Sequence, residues 1–582
     1  MKLRMLITVT LTFCGLAILA AADPGDMVVH EWGTFLAMNG SDGVSLDGMY
    51  HEEHALPSFV HSRSRDQLKL TTSIVKGETP VIYFYTGRRS RVQVEVGFPT
   101  GLWTQWYPQA AIAGPGLAQV GSPPRLRNGR IIWNVDVVPP PAAHARLPAT
   151  SSDALWNHAR QVDAAYVSAS NGARAGTPRE WERFIFYRGL GEAPLPIHIT
   201  IADERISARS TESEGLQHLF ILRIENGRGT YEYLPGLEGR KTMSHPVPNF
   251  DRAVPITQFA DKIAGDIERR LIESGLFEKE ARAMVNTWRS SYFTTDGVRV
   301  LFVLPQSWTD RYIPMRITPA PAKLVRVMVG RVEVLSAQRE RRAEFAIRDL
   351  DSPDSLIREK AFAALRDEGR YLEPIIRRTL RTSSSERVKV MCRRLLFTDF
   401  VTELRTALND SHTGERLTTD PVYVRAQLAG LLREVGLTSA ARDEGEAALA
   451  RLRQRPQPDM SQHSSRHAFR ALARASEGAG DDAAAMKWYG AFVEFGSQVR
   501  QCGGCHASEG PRDMSFFRDW YAGRKFAEYA NITGETPRLI TAHEATLTRK
   551  PNNLSAQLAL AYLYEARGDS ARARALWTKI DP

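Results

Sequence analysis

The feature that most restricts how this chain can fold is a pair of glycines, Gly534 and Gly568, that stand 34 residues apart in matching surroundings. Each glycine is followed by an acidic residue and separates two apolar segments, 516–532 from 539–547 and 554–566 from 571–580. Apolar residues at intervals of three and four predict helices, and a glycine after such a run predicts a helix end. The sequence therefore predicts two successive helical hairpins of equal length.

Two earlier segments fit the same frame with insertions. Gly436 and the pair Gly480-Asp481 also divide apolar helical patterns, at spacings of 44 and 54 residues. The units resemble tetratricopeptide repeats, whose period is 34 residues, and the resemblance covers 401–582. Upstream, residues 338–400 resemble HEAT-type helix pairs, with Asp354 opening a helix and Gly369 ending it. These resemblances imply a helical scaffold that binds protein partners.

Residues 23–337 have a different pattern, with short β-branched and aromatic runs between Gly and Pro turns. Segments 81–85 and 92–96 flank a polar turn and predict one hairpin, and 219–225 and 230–234 flank Asn226-Gly227 and predict a second. Further strands are expected at 131–138, 184–187, 197–201, 298–304 and 324–334, with one helical insert from Ile256 to about Tyr292. We expect a multidomain α+β protein, with a sandwich-like β-rich domain followed by an all-α repeat region.

The first 22 residues resemble a secretory signal peptide. Lys2 and Arg4 precede an apolar run, and Ala20-Ala21-Ala22 provides small residues for cleavage. No later segment is apolar for long enough to span a membrane, so we expect an exported protein without an integral membrane segment. The net charge of +10 comes from basic residues that are spread along the chain. Together with export, this argues against a nucleic-acid partner.

The segment Cys502-Gly503-Gly504-Cys505-His506 is the strongest chemical motif in the chain. Two thiols at this spacing, followed directly by an imidazole, are typical of c-type haem attachment. Cys502 and Cys505 would form the thioethers to one haem c, and His506 would be the proximal iron ligand. A zinc site or a redox disulfide is the alternative, although no second cysteine pair is present to complete a zinc site.

The sixth ligand of the iron stays open. Small cytochromes c usually take a distant methionine, whereas here the last methionine, Met514, lies only eight residues after His506. The alternatives are His543 in a later predicted helix, His463 or His467 in an earlier one, and an open position. Aromatic residues that follow the motif can wall a porphyrin or form the repeat core, namely Phe516, Phe517, Trp520, Tyr521 and Phe526.

Near the start of the chain, His30, His51, Glu52 and His54 fall within a short stretch. Imidazole and carboxylate groups can hold zinc or another divalent metal, although the spacing does not match the His-Glu-x-x-His helix of metalloproteases. A hydrogen-bonded structural cluster is the competing interpretation.

Five segments of the β-rich region resemble those of a group of large exported bacterial proteins: 30–35, 78–85, 106–108, 186–189 and 325–331. The resemblance implies a shared domain over roughly 27–335, but no activity. The signal-like segment at the start of the chain predicts a periplasmic or extracellular location. No phosphate loop, nucleophile elbow or dinucleotide fingerprint is present, so nothing identifies an enzyme. The sequence favours a haem protein for electron transfer or for redox or ligand sensing. A non-catalytic interaction scaffold with a structural cysteine pair, and a metal-dependent enzyme at the N-terminal histidines, are the alternatives.

Overall fold

The computed structural model describes residues 27–47, 56–62, 73–115, 126–169, 179–409, 421–434, 436–454, 463–498 and 521–580. In these ranges a β-rich region is followed by a region built from helices. This confirms the predicted multidomain α+β class. The predicted signal peptide and the Cys502–His506 motif lie outside the described residues.

Strands dominate the first region, and helices are attached to it. The strands are β1 (Val28–Asn39), β2 (His61–Ser62), β3 (Val75–Gly77), β4 (Val81–Tyr85), β5 (Ser90–Phe98), β6 (Gly101–Tyr107), β7 (Ile112–Gly114), β8 (Gly129–Val138), β9 (Tyr166–Ala169), β10 (Glu180–Glu182), β11 (Ile185–Gly191), β12 (Ile197–Ala202), β13 (Arg205–Ser210), β14 (Leu216–Glu225), β15 (Arg228–Leu237), β16 (Thr242–Pro246), β17 (Val254–Pro255), β18 (Gly297–Val303), β19 (Met315–Thr318) and β20 (Lys323–Val334). The helices are α1 (Trp156–Arg160), α2 (Ile256–Glu273), α3 (Glu278–Tyr292) and α4 (Gln306–Tyr312).

The strands form three sheets. The largest has the order β17-β15-β14-β18-β20-β1-β3-β11-β6-β2, with β4 beside β1 and β11. At its centre β1 and β20 run parallel over twelve residue pairs, from Val28 opposite Lys323 to Asn39 opposite Val334. The second sheet has the order β10-β9-β8-β5-β19 with β7 on β8, and the third has the order β12-β13-β16. The first and last long strands of the region are thus neighbours at the middle of the main sheet.

The main sheet is buried on both faces. On one face, Phe35 and Tyr187 share a core with Val94 and Trp133 of the second sheet. On the other face, side chains such as Trp32 pack against helices α1, α2 and α3. Because successive side chains of a strand point to opposite faces, each central strand contributes to both cores. The result is a sheet-on-sheet sandwich with a helical layer on its outer side.

The two predicted hairpins have different outcomes. The Asn226-Gly227 hairpin is confirmed: β14 pairs with β15, and both turn residues have positive φ angles, 50° and 72°. The hairpin predicted from 81–85 and 92–96 is wrong, because β4 pairs with β1 and β11 while β5 pairs with β8 and β19 in another sheet. Both segments are strands, but local pattern cannot reveal that the chain changes sheets between them. The predicted helical insert consists of two helices, α2 and α3, joined around Gly275.

In the described ranges from residue 337 onward, helices follow one another. They are α5 (Ala337–Asp349), α6 (Ser355–Asp367), α7 (Glu373–Thr382), α8 (Glu386–Asn409), α9 (Pro421–Glu434), α10 (Thr438–Arg453), α11 (His463–Gly478), α12 (Asp482–Gln498), α13 (Tyr521–Ile532), α14 (Thr536–Arg549), α15 (Leu554–Ala566) and α16 (Ser570–Ile580). Asp354 caps α6 by accepting a hydrogen bond from the backbone N–H of Leu356 (2.8 Å). Gly436, Gly480, Gly534 and Gly568 have φ angles between 68° and 78° and lie in the turns between successive helices. Left-handed backbone at these positions favours glycine, which explains their regular occurrence.

Candidate functional site

Strand alternation divides the first residues of β1 between the two faces of the main sheet. Trp32 belongs to the core shared with the helices, whereas Phe35 belongs to the core shared with the second sheet. His30 lies on the face of Trp32, and Glu31 lies on the face of Phe35. Neighbouring polar residues of one strand therefore take part in two separate polar networks.

His30 connects β1 to the N-terminal end of α3. Its ring is 1% exposed, and Nδ1 lies 2.7 Å from a carboxylate oxygen of Glu280. Glu280 also accepts hydrogen bonds from the hydroxyl of Tyr85 (2.8 Å) and from the backbone N–H of Phe277 (2.8 Å), which precedes the helix. Burial, and then the charge of Glu280, raise the pKa of Tyr85 well above its usual range. These contacts join a strand to a helix start, which supports a structural role for His30.

The remaining N-terminal residues of the predicted metal cluster, His51, Glu52 and His54, lie outside the described residues. Within the described ranges, no three His, Cys, Asp or Glu side chains are grouped so that they could hold a metal ion.

Glu31 forms a second polar network on the other face of β1. Its carboxylate lies 2.6 Å from Nε of Arg326, the residue directly opposite in the parallel strand β20, and it accepts a hydrogen bond from the hydroxyl of Tyr187. Arg326 also contacts Asp310 (3.0 Å) and the carbonyl oxygen of Ile313 (2.8 Å). Burial alone would lower the pKa of Arg326, but the charge of Glu31 raises it. The contact with Glu31 therefore offsets the cost of burying the guanidinium group inside the sandwich.

A third network surrounds Glu78, which follows β3. Its carboxylate accepts a hydrogen bond from the hydroxyl of Tyr292 (2.5 Å) and lies 3.8 Å from Nζ of Lys76 and 3.7 Å from Nη1 of Arg331. Gly33 of β1 makes this arrangement possible. Glu78 and Pro80 lie in the loop between β3 and β4, and a Cβ at Gly33 would lie 2.8 Å from Cα of Pro80. The loop can thus pack closely against β1, with Glu78 buried beneath α3.

A cavity of about 520 Å³ opens next to this third network, between the main sheet and helices α1 and α3. This volume is within the range of pockets that hold small molecules. Its buried wall contains Lys76, Glu78 and Arg188, and its aromatic wall contains Trp32, Trp156, Phe184, Phe186, Trp288 and Tyr292. Exposed residues of 149–153 and Ser58 form part of the lining, so the cavity can be reached from solvent.

Strand geometry explains why charged side chains line this cavity. Val75 and Tyr187 point into the core shared with the second sheet, so Lys76 and Arg188 point to the helical face. The pairing of β11 with β6 shifts register between Arg188 and Gly189, directly after the arginine that lines the cavity. Arg188 donates through Nε to the carbonyl oxygen of Glu78 (2.8 Å) and through Nη1 to the side-chain oxygen of Gln105 (3.4 Å).

Sequence reasoning did not identify this cavity as a site. Three of the segments singled out in the sequence, 30–35, 78–85 and 186–189, nevertheless contribute lining residues. Segments distant in sequence therefore converge on one cavity. The sequence revealed these segments, but it did not reveal that they lie side by side in the folded protein.

In the helical region, the structure locates one of the candidate sixth ligands with its side chain. His543 lies in α14 and is partly buried, and burial lowers its pKa while the charge of Glu494 on α12 acts in the opposite direction. His463 and His467 lie in α11, and Met514, Cys502, Cys505 and His506 lie outside the described residues. Among the aromatic residues after the motif, Phe526 is 5% exposed and belongs to the repeat core, whereas Tyr521 is 44% exposed.

None of the helices in the described part of the chain is both long and apolar enough to cross a membrane.

Comparisons with known proteins add little to these observations. No family model matches the chain, and no curated protein matches it. Among solved structures the chain is similar to the mu-homology domain of yeast delta-COP-I, at 7% sequence identity, with 53% of this chain and 96% of that chain covered and a TM-score of 0.20. Two folds with so low a TM-score cannot be equated. The function must therefore be argued from the residues themselves.

Proposed function

We propose that the protein is an exported c-type haem protein, in which a helical scaffold carries one covalently attached haem c for electron transfer or for redox or ligand sensing. The observation that carries the proposal is the segment Cys502-Gly503-Gly504-Cys505-His506. Its thiols and imidazole have the spacing that covalent haem attachment requires. Covalently bound haem supplies a one-electron centre whose iron can also bind small ligands.

The surroundings of the motif support this proposal. Helix α12 ends at Gln498, and the motif begins four residues later in the sequence. Glu494 lies in the last turns of α12, and its charge acts on His543. Glu494 precedes Cys502 by eight residues in the sequence.

Among the candidate sixth ligands we favour His543. Its imidazole is partly buried, and burial lowers its pKa, which keeps the ring neutral near pH 7. Only a neutral imidazole can donate a nitrogen lone pair to iron. The electrostatic contact with Glu494 brings it near the helix that leads into the motif.

Haem attachment is tested by expressing the full chain in a bacterial periplasm together with haem-attachment machinery. The purified protein is expected to show a Soret band that survives acid–acetone extraction. The double variant Cys502→Ser/Cys505→Ser is expected to lose the band, and Cys392→Ser, which changes a buried cysteine far from the motif in sequence, is expected to keep it. A colourless wild-type protein would contradict the proposal and would favour an interaction scaffold with a structural cysteine pair.

The sixth ligand is tested on the haem-loaded protein. His543→Ala is expected to convert a low-spin spectrum of the reduced haem to a high-spin one, whereas His144→Ala, which removes an exposed histidine of the β-rich region, leaves the spectrum unchanged. A low-spin spectrum that persists in His543→Ala and is lost in Met514→Ala, His463→Ala or His467→Ala would assign the ligand to that residue instead.

A further inference from the structure

We propose that the outer face of the second sheet binds an acidic polysaccharide. The inference goes beyond the proposed haem function and does not depend on it. It rests on two groups of arginines that the fold collects on one exposed surface, and on the neutral polar side chains between them.

Strand alternation places these side chains on the solvent side of the second sheet. The alternate valines of β5 belong to the core of the sandwich, so Arg91, Gln93 and Glu95 point outward. By the same alternation β8 points Asn134 and Asp136 outward, directly beside β5. The main sheet packs against the opposite face of the second sheet, so the outer face is open to solvent.

Three arginines surround Asp136 in the first group. Arg91 is directly opposite Asp136 in the pairing of β5 with β8, and its Nε lies 3.5 Å from the carboxylate. Arg89 and Arg179 contact the other carboxylate oxygen at 3.1 Å and 2.8 Å. The side chains of Arg91, Arg89 and Arg179 are 94%, 68% and 40% exposed. Because one carboxylate offsets only one of these three positive charges, the group has an excess of two.

Glu95 holds the second group of arginines. It lies four residues further along β5 than Arg91, which is about 13 Å at the usual rise of a strand. Its carboxylate lies 2.5 Å from Nε of Arg130 of β8 and 3.1 Å from Nη2 of Arg316 of β19, and both arginine side chains are about half exposed or more, at 49% and 71%. In the described part of the chain, the two groups thus contain five arginines and two carboxylates, an excess of three positive charges. Arg183, which stacks on Tyr166 of β9 (4.3 Å), adds a further positive charge at the edge of this face.

Neutral polar side chains lie between the two groups. Gln93 donates a hydrogen bond to the side-chain oxygen of Asn134 (3.0 Å), and Thr318 of β19 is opposite Gln93 on its other side. All three residues are exposed. Amide and hydroxyl groups both donate and accept hydrogen bonds, so they suit the hydroxyl groups of a sugar. The face therefore offers two anion-binding groups with hydrogen-bonding groups between them. An acidic polysaccharide has the matching order, because its anionic groups are separated by rings that carry hydroxyls.

Other acidic partners match this face less well. Stable protein interfaces have an apolar centre rich in aromatic residues. Among the described residues of this face, one large apolar side chain is exposed, Ile112 of β7, which is opposite Ile132. An anionic membrane surface would leave the amide and hydroxyl row unused. A polymer, in contrast, can contact both arginine groups at once, and many weak contacts along one chain add up to useful affinity.

The proposal is tested on the full mature chain with four probes: polygalacturonate, its methyl ester, polyglutamate and phosphatidylglycerol vesicles. Binding to the polymers is measured by biolayer interferometry and binding to vesicles by cosedimentation. Polygalacturonate is expected to bind about tenfold more tightly than its methyl ester, which has the same sugar chain without the charges. It is also expected to bind more tightly than polyglutamate, which has carboxylates but no hydroxyls, and added salt should weaken its binding. Failure of polygalacturonate to bind, equal binding of the methyl ester, or equal or tighter binding of polyglutamate or vesicles would overturn the proposal.

A triple variant, Arg89→Gln/Arg91→Gln/Arg316→Gln, removes the three most exposed arginines of the two groups. It is expected to weaken polygalacturonate binding about tenfold, because three exposed charge contacts are lost. The matched control is Arg269→Gln/Arg282→Gln/Arg289→Gln, which removes three exposed arginines from α2 and α3, on the other side of the main sheet. Both variants lose the same net charge, so the control should bind within about twofold of the unmodified protein. Equal weakening in the two variants would overturn the assignment to this face.

The double variant Gln93→Ala/Asn134→Ala tests the neutral row. It is expected to weaken polygalacturonate binding about threefold, because hydrogen bonds to sugar hydroxyls are lost, and to leave polyglutamate binding unchanged. An equal effect on both polymers, or no effect on polygalacturonate, would overturn the recognition of a sugar. The Soret band is measured in the same samples. A colourless protein that still binds polygalacturonate would contradict the haem proposal alone, whereas a haem-loaded protein that does not bind would contradict this one alone.

Discussion

The ion pair between Glu31 and Arg326 is expected to stabilise the β-rich region strongly. Glu31 and Arg326 are directly opposite each other in the parallel pair at the centre of the main sheet, and their side chains are 0% and 1% exposed. Glu31→Gln keeps the size of the side chain but leaves the guanidinium group without its main counter-charge. Asp310 compensates only partly, because its side chain is 56% exposed. Removing one partner of a buried pair costs about 3–5 kcal/mol.

The measurement is unfolding in urea, monitored by tryptophan fluorescence. Fluorescence reports mainly on the β-rich region, because most tryptophans lie there. Circular dichroism monitors the helices in the same experiment. Glu204→Gln is the matched control. Glu204 makes a similar contact with Arg223 (2.7 Å) but is 76% exposed. Exposed ion pairs contribute at most about 1 kcal/mol, so the control is expected to change little.

A double-mutant cycle with Arg326→Met separates the pair from its surroundings. Losing both charges leaves no unpaired ion, so the double variant is expected to be at least about 1 kcal/mol more stable than the sum of the two single losses suggests. If Glu31→Gln costs no more than Glu204→Gln, or if the two single losses simply add, the reasoning about a coupled buried pair is refuted.

Three further results are expected. Burial raises the pKa of Cys392 to about 11, so its thiol should not react with a thiol reagent at pH 8 until urea unfolds the protein. In haem-loaded mature protein unfolded in urea, the thiol of Cys392 should be the single reactive one. Immediate reaction of the native protein with the reagent would contradict the burial of Cys392. Burial lowers the pKa of His158 below 6.5. As the pH drops below 6.5, His158 therefore binds a proton in the unfolded chain before it does so in the folded protein, and the free energy of unfolding should fall. His158→Gln should make the free energy of unfolding less dependent on pH. An unchanged pH dependence in this variant would contradict the prediction. Gly523→Ala places a Cβ 2.0 Å from the ring of Tyr562 and should cost about 1–3 kcal/mol in thermal unfolding. At Gly430 a Cβ would meet no atom of the described residues within 4 Å outside its own helix backbone, so Gly430→Ala should gain up to about 1 kcal/mol. Similar effects of the two substitutions on stability would refute the close contact at Gly523.

Local pattern was most informative where structure depends on neighbouring residues. The turn of Asn226-Gly227 requires positive φ at both positions, and the four glycines between the helices require left-handed backbone. Both requirements restrict the residue type at a single position, so they are visible in the sequence. The change from a β-rich to an all-helical region near residue 337 is also visible in the sequence, because helices and strands have different periods of apolar residues.

Local pattern was not informative where residues distant in sequence meet. Segments 81–85 and 90–98 each read as strands, but whether two adjacent strands pair with each other depends on partners far along the chain. His30 looked like part of a metal cluster, yet its partner in the structure is Glu280, 250 residues away. No spacing rule connects such residues. Their contact arises only when the sheet places β1 beneath α3.

The sequence by itself determined the two-part architecture, the Asn226-Gly227 turn and the glycine turns between helices, because these depend on backbone conformation and on the period of apolar residues. The fixed spacing of Cys502, Cys505 and His506 is likewise visible only in the sequence, and the proposal of a haem rests on it. Tertiary structure alone decided which strands pair, which charges are buried together and where the cavity lies. Lys76, Glu78 and Arg188 are unremarkable in the sequence. They come to line one cavity because alternation along β3 and β11 points Lys76 and Arg188 to one face, beneath a helix that contributes aromatic rings to the lining.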